Sequence, residues 1–199
     1  MPVKHTAIAA ACALLLICGS ASAQTLSVNA QFYRITWSPM NFISETPERT
    51  SISCPVTLEG SFNRTTVRKG GEFFEAAKNT AVRFGSCTGG TIQTLQNETG
   101  GVLIYRSFAG TLPAITSVTF SLVSFWFRWG WIITCLYNAR SEQPIGLQFV
   151  RNTSTSQITQ INNLPERISE PSGCPSIFTS GTATIARAGT TEGFFIRLI

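Results

Sequence analysis

The sequence contains no aspartate, and its single histidine, His5, lies near the start of the 199-residue chain. A Ser-His-Asp or Cys-His catalytic arrangement needs an imidazole as its base, and zinc sites usually use imidazole ligands. EF-hand loops need aspartate as a calcium ligand. Beyond His5, the sequence therefore excludes most of the common hydrolase and metal-site chemistries.

Residues 1–23 have the pattern of a secretion signal. Lys4 supplies a positive charge, Ala7 to Cys18 form an uninterrupted apolar run, and Ala21-Ser22-Ala23 matches the small-x-small pattern of a cleavage site. The apolar run is too short to span a bilayer as a helix. A lipid anchor on its last cysteine is disfavoured because Ile17 occupies a position where a small residue is needed. We therefore expect a secreted protein, extracellular or associated with the cell envelope.

An even number of cysteines remains in residues 24–199, which predicts two disulfides formed in an oxidising compartment. They are Cys54, Cys87, Cys135 and Cys174, and three pairings are open. Because sequential strands are usually neighbours, the local pairing of Cys54 with Cys87 and Cys135 with Cys174 is favoured. The length of this segment is typical of one domain, so 24–199 is expected to fold as a single unit.

Apolar and polar residues alternate along much of the chain, which is typical of half-buried strands. The clearest case is Ile52 to Phe62, and the alternation recurs at Ile177 to Arg187 and at Gly193 to Ile199. Paired glycines, such as Gly89-Gly90, mark turns between strands. The sequence predicts an all-β fold, a single disulfide-linked β-sandwich, with a β-barrel as the alternative.

Some segments depart from this pattern. Glu72 to Asn79 is compatible with one or two helical turns, although a strand competes there. Segments 38–50 and 163–175 contain prolines and glutamates and are predicted to be loops. The first of these loops could separate an N-terminal strand, Leu26 to Trp37, from the rest of the domain. A free strand of this kind would offer an edge for self-association.

The aromatic run that begins at Phe125 is the strongest candidate for a functional element. In an extended strand, one face collects the apolar side chains of Phe125, Phe127, Trp129, Trp131, Ile133 and Cys135. This face is expected to lie in the core. The buried parity of the preceding strand changes near Val123 and Ser124, which predicts a bulge or turn.

The opposite face of the same strand presents Trp126 and Arg128, the predicted ligand-binding residues. They could stack on a sugar ring or lie at a lipid interface. Packing against the core or a sheet edge is the favoured alternative for the pair.

Carboxylate catalysis is the remaining route to an enzyme. Glu72 with Glu75 and Glu45 with Glu48 are close pairs of the type that glycosidases use, but both lie in polar stretches typical of solvated loops. No catalytic residue, metal ligand or cofactor is therefore predicted. The formal net charge is +5, yet the basic residues are scattered singly, and export argues against nucleic acid as a partner.

Several short motifs combine strand and turn features. They are SCPVTLEGSF at 53–62, CTGG at 87–90, GTLP at 110–113 with ITSV at 115–118, TCLY at 134–137 and GTATI at 181–185. Through them, residues 50–199 resemble a group of small, uncharacterised bacterial secreted β proteins with four cysteines. They are also distantly similar to the secreted proteins labelled alkane oxidation activator. The resemblance implies an exported surface or matrix protein and brings no catalytic motif.

The combined expectation is a secreted, non-enzymatic structural or adhesive protein of the bacterial cell surface or extracellular matrix. The alternative is an extracellular binding module for a glycan or hydrophobic ligand that uses exposed aromatic residues. The expected partners are a surface polymer, a glycan or a hydrophobic ligand, together with self-association through edge strands.

Overall fold

A computed structural model describes residues 25–46, 50–68, 75–93, 100–111, 114–130, 134–168 and 173–199. The predicted signal peptide lies outside these residues. The described ranges contain sixteen strands and no helix. In chain order the strands are β1 (Thr25–Val28), β2 (Phe32–Ser44), β3 (Ser51–Phe62), β4 (Thr66–Arg68), β5 (Glu75–Phe84), β6 (Thr91–Gln93), β7 (Val102–Thr111), β8 (Ala114–Val123), β9 (Phe125–Gly130), β10 (Thr134–Ala139), β11 (Ile145–Arg151), β12 (Ile158–Asn163), β13 (Arg167–Ile168), β14 (Ile177–Ser180), β15 (Thr182–Arg187) and β16 (Ile196–Leu198).

Eight antiparallel strands close into a barrel, in the order β2, β15, β12, β11, β8, β7, β5, β3 and back to β2. Closure occurs at β2, which pairs with β15 on one side and with β3 on the other. The all-β prediction is confirmed in its barrel form. A two-sheet sandwich does not form, because both edges of β2 are occupied and the main sheet closes on itself.

The strand β2 extends further than the sequence indicates. A loop was predicted from residue 38, but β2 continues to Ser44, so this prediction is wrong for residues 38–44. The register with β3 shifts between Trp37 and Met40, and this bulge accommodates Pro39, which cannot donate a ladder hydrogen bond. The predicted strand from Leu26 to Trp37 is divided: its first part lies in β1, the central strand of a separate three-stranded sheet, and its second part lies in the barrel wall as β2. Neither part is a free edge.

The helical alternative at Glu72 to Asn79 is also wrong for the residues that the structure describes, 75–79. These residues begin β5, which pairs with β3 and β7. Ala76, Ala77 and Asn79 are buried in the barrel, and this tertiary packing outweighs the local helix propensity of the segment.

Aromatic side chains fill the barrel interior. The ring centroids of Phe120 and Phe149 are 4.8 Å apart, those of Tyr33 and Phe62 are 5.1 Å apart, and those of Phe62 and Phe194 are 5.7 Å apart. All five of these residues are fully buried. Such rings each bury a large apolar area, which is the dominant source of stability in a fold of this kind.

Two small sheets lie at opposite ends of the barrel. The sheet of β16, β1 and β4, which we name the proximal cap, lies where β2 begins, and its Val28 N–H donates to Thr65 O at 2.8 Å. The sheet of β10, β9 and β6, the distal cap, follows directly from the end of β8. At the distal end, the ring centroids of Phe42 in the barrel and Phe127 in the cap are 5.2 Å apart. Buried residues of both caps and of the barrel form one continuous core.

Two disulfides are present, Cys54–Cys87 and Cys135–Cys174, and the local pairing is thus the one formed. The first links β3 to the segment before β6, and the second links β10 to the segment before β14. Two disulfides are compatible with an oxidising, extracellular environment. The described part of the chain contains no helix long and apolar enough to cross a membrane.

Candidate binding face on the distal cap

The central strand of the distal cap, β9, takes its orientation from Ser124. This residue lies between β8 and β9 with a φ of 54°, in the left-handed region. Its N–H donates to Ala139 O at 2.6 Å, which holds the turn against β10. Val123 and Phe125, on either side of it, are both buried. The predicted change of parity near Val123 and Ser124 is confirmed, and it determines which face of β9 points to solvent.

The inner face of the distal cap is apolar and buried. Phe125, Phe127 and Trp129 on β9 lie opposite three buried residues of β10, namely Ala139, Tyr137 and Cys135. The prediction that this face of β9 belongs to the core is confirmed for its described members. Trp131 and Ile133 lie outside the described residues.

The cap is fastened to the C-terminal part of the chain beside β10. The Tyr137 hydroxyl donates to Pro175 O at 2.5 Å. Close to these two residues in the sequence, the disulfide joins Cys135 to Cys174. The indole of Trp129 lies 5.9 Å from the ring of Tyr137, but its buried Nε1 has no hydrogen-bond partner among the described residues. These attachments give the outer face a rigid support.

The outer face of the distal cap carries both predicted ligand-binding residues. Trp126 is half-buried and Arg128 is exposed. The register places their cross-strand neighbours on the same face. This set, which we name the distal face, consists of Trp126, Arg128, Leu136, Asn138, Thr91 and Gln93.

Three cross-strand pairs organise the distal face. Trp126 lies opposite Asn138, and Arg128 lies between Leu136 on β10 and Gln93 on β6. Strands in a sheet are about 4.8 Å apart, so three strands give a contact area about 10 Å wide, the size of one or two sugar rings. Leu136 is 36 % exposed and is one of the few large apolar side chains at the surface of the described structure.

Unused polar groups lie beside the aromatic ring. The Oδ1 atom of Asn138 is buried and accepts no hydrogen bond from any described residue. Arg128 forms no ion pair or hydrogen bond within the part of the chain that the structure describes. The Arg128 guanidinium is therefore open to a ligand, whereas Asn138 Oδ1 is closed to solvent.

The distal face presents groups that a ligand could contact. An indole offers a flat surface for stacking, and a guanidinium offers several donors. Elsewhere, Glu45 forms an ion pair with Arg167 at 2.6 Å, whereas Glu48 and Glu72 lie outside the described residues. No group of three or more potential metal-ligating side chains occurs in the described ranges.

The sequence pattern singled out Trp126 and Arg128 but not Leu136, Asn138 and Gln93, their neighbours on the distal face. The alternation in β10 was visible in the sequence, since Leu136 and Asn138 alternate with Cys135 and Tyr137. Which strand pairs with β9, and in which register, depends on tertiary structure and has no local signal.

Comparisons with known proteins identify no relative of the chain. No family model, no curated protein and no solved structure matches the chain. The function must therefore be inferred from the barrel, its caps and the groups on the distal face.

Proposed function

We propose that this is an exported, non-enzymatic adhesive protein of a bacterial cell surface or extracellular matrix, and that it binds a surface glycan through the distal face. The observation that carries the proposal is the half-buried indole of Trp126 on the same face as the exposed guanidinium of Arg128, which has no partner among the described residues. An aromatic surface beside unused hydrogen-bonding groups matches the two aspects of a sugar ring, its apolar face and its hydroxyl edge.

A glycan suits this face better than a purely hydrophobic ligand. Leu136 and Trp126 provide apolar contact, but Arg128 and Asn138 lie among them. A hydrophobic ligand would cover the exposed Arg128 guanidinium without pairing it, at a cost of more than about 1–3 kcal/mol for a charged group. A polyhydroxylated ligand would supply both donors and acceptors. A hydrophobic polymer remains the second candidate ligand because of the exposed part of Leu136.

The non-enzymatic part of the proposal follows from the chemistry of the side chains. The chain has no aspartate, and its single histidine lies in the proposed leader. Glu59 is bound by Arg34 at 2.7 Å, and Glu166 and Glu192 are bound by Arg106 and Arg187. Carboxylates committed to surface arginines at separate sites are poor candidates for a catalytic pair.

The exported part of the proposal is supported by two features. The first residues have the composition of a signal peptide, and two disulfides are formed. A bacterial surface or matrix location agrees with both.

Assembly through edge strands is the structural alternative. Because the main sheet closes at β2, the terminal strands of the described sheets are short. β4 and β6, for example, have three residues each. Such short edges favour adhesion over polymerisation as the main activity.

The proposal is tested by incubating the secreted protein with a panel of insoluble and immobilised polysaccharides and measuring the bound fraction. We expect retention on at least one neutral glycan, with loss of retention in Arg128→Leu, which removes the exposed guanidinium donors. Sedimentation of the same preparation should show a monomer. Ordered polymers together with an absence of glycan retention would support the structural alternative instead.

A further inference from the structure

The proximal cap carries a second surface feature, at the other end of the barrel from the distal face. A pocket of about 400 Å³ opens on its outer side and is lined by Ser27, Val28, Asn29, Phe195 and Arg197. A volume of this size is within the usual range for small-molecule sites. The register pairs Ser27 on β1 with Arg197 on β16, so these two side chains share the outer face.

Arg197 is a cation without a partner at this pocket. Its side chain is exposed and forms no ion pair or hydrogen bond with any residue in the described ranges. By contrast, five other arginines of the described structure each lie within 4.0 Å of a glutamate carboxylate. The guanidinium of Arg197 is therefore available to a ligand.

A second arginine lies buried near the first. Arg151 points from the end of β11 into the barrel, where its guanidinium donates to Ile196 O at 3.0 Å, Ile115 O at 2.8 Å and Ser156 Oγ at 2.6 Å. All three acceptors are neutral. Within the described structure no carboxylate lies within 4.0 Å of Arg151.

The two arginines repel each other. Burial lowers the pKa of Arg151, and the positive charge of Arg197 lowers it further. Two uncompensated cations at one end of the barrel create a local positive potential, and an anion bound at Arg197 would relieve it.

The other pocket residues restrict the kind of anion. Phe195 forms an isolated bridge just before β16, two residues from Arg197 along the extended chain, and is partly exposed, so its ring can contact the apolar side of a ligand. The Asn29 side chain is held in place, since its Nδ2 donates to Gly193 O at 3.2 Å and its Oδ1 accepts from Phe195 N–H at 2.9 Å. The Ser27 hydroxyl has no described partner and is free to bind a ligand oxygen.

We propose that this pocket binds an acidic sugar, with the carboxylate on Arg197, the ring against Phe195 and a ring hydroxyl on Ser27. A guanidinium binds a carboxylate through two parallel hydrogen bonds, and an adjacent aromatic ring adds contact with the sugar face. The site is independent of the distal face in both its residues and its ligand charge.

The test uses the secreted protein at low ionic strength and measures calorimetric binding of a short galacturonate oligomer and of its methyl ester. The ester keeps the ring and removes the charge. We expect the acid to bind and the ester to bind at least about tenfold more weakly, because a charge-assisted hydrogen bond contributes at least that factor. Arg197→Gln should reduce binding of the acid by a similar factor.

Two variants serve as controls. Arg140→Gln removes an exposed arginine that forms no ion pair with a described residue, and it should leave binding unchanged. Trp126→Ala should also bind the acid normally, which separates this site from the distal face. Equal binding of acid and ester, an equal loss in Arg140→Gln, or no binding by the unaltered protein would overturn the proposal. Inorganic sulfate that binds as tightly as the oligomer would overturn the assignment to a sugar.

Discussion

Tyr33 on β2 donates a 2.7 Å hydrogen bond to Oδ1 of Asn79 on β5, across the intervening strand β3. The bond passes over Gly60, which lies opposite both residues. A Cβ atom at Gly60 would lie 2.6 Å from Tyr33 Oη and 2.8 Å from Asn79 Oδ1. The absence of a side chain at position 60 is therefore what allows this bond between two strands that are not adjacent.

Gly60→Ala should destabilise the barrel by about 1–3 kcal/mol, because a methyl group there displaces the tyrosine hydroxyl and overpacks the wall. Equilibrium unfolding in urea measures the loss. Ser61→Ala, at the next and outward-facing position, should change stability by no more than about 0.5 kcal/mol. Equal effects of the two substitutions would show that Gly60 has no special role.

Alkaline pH should weaken the fold through the same tyrosine. Burial raises the pKa values of Tyr33 and Tyr105 above the usual value of about 10. Above that pH the unfolded chain loses these protons while the folded chain keeps them, so the free energy of unfolding falls as pH rises. Tyr33→Phe should reduce this slope by up to about 1.4 kcal/mol per pH unit. Between pH 6 and 8 the free energy of unfolding should depend on pH in the same way in the unaltered protein and in Tyr33→Phe. The same pH dependence in both proteins above pH 10 would contradict the prediction.

Trp129 should behave as a core residue. Trp129→Ala removes a buried ring that packs against Tyr137 and should cost about 3–5 kcal/mol. Trp129→Phe should cost much less, because it also removes the indole N–H that has no described partner. Thermal and urea unfolding distinguish these cases. A Phe variant as unstable as the Ala variant would indicate that the N–H is satisfied after all.

The disulfide Cys135–Cys174 should stabilise the attachment of the distal cap. Replacing both cysteines by serine releases a sequence separation of 39 residues and should cost about 4 kcal/mol on the loop-entropy model. Peptide mapping of the unreduced variant should still recover Cys54 linked to Cys87. Recovery of Cys54 or Cys87 in any other linkage would contradict the independence of the two bridges.

The sequence predicted those features that depend on local pattern. Alternation identified the strand from Ile52 to Phe62 and the buried face of β9, and the even cysteine count with the proximity of strands identified the disulfides. The prediction of a loop from residue 38 was wrong because Pro39 lies in a β-bulge, and this bulge depends on pairing with β3. Closure into a barrel likewise depends on β2 pairing with β15, more than 130 residues later, and no local signal specifies such a contact.

The candidate site shows the same division. Trp126 and Arg128 were candidates from the sequence because of their residue types and their position on one face of a strand. Asn138 became a neighbour of this pair only through the register that places it opposite Trp126. Arg151 and Arg197 are unremarkable in the sequence, where each is a single arginine in a strand. Their proximity results from the packing of β16 against the end of the barrel.

The most direct test of the adhesive function is the affinity of the secreted protein for the glycan that retains it, compared between Trp126→Ala and Phe32→Ala. Phe32 is 62 % exposed on β2, away from the distal face, and so controls for general loss of surface aromatic area. We predict that Trp126→Ala weakens binding by about tenfold or more with its fold intact, while Phe32→Ala binds as the unaltered protein does. Unchanged affinity in Trp126→Ala, measured on a folded variant, would contradict the proposed function.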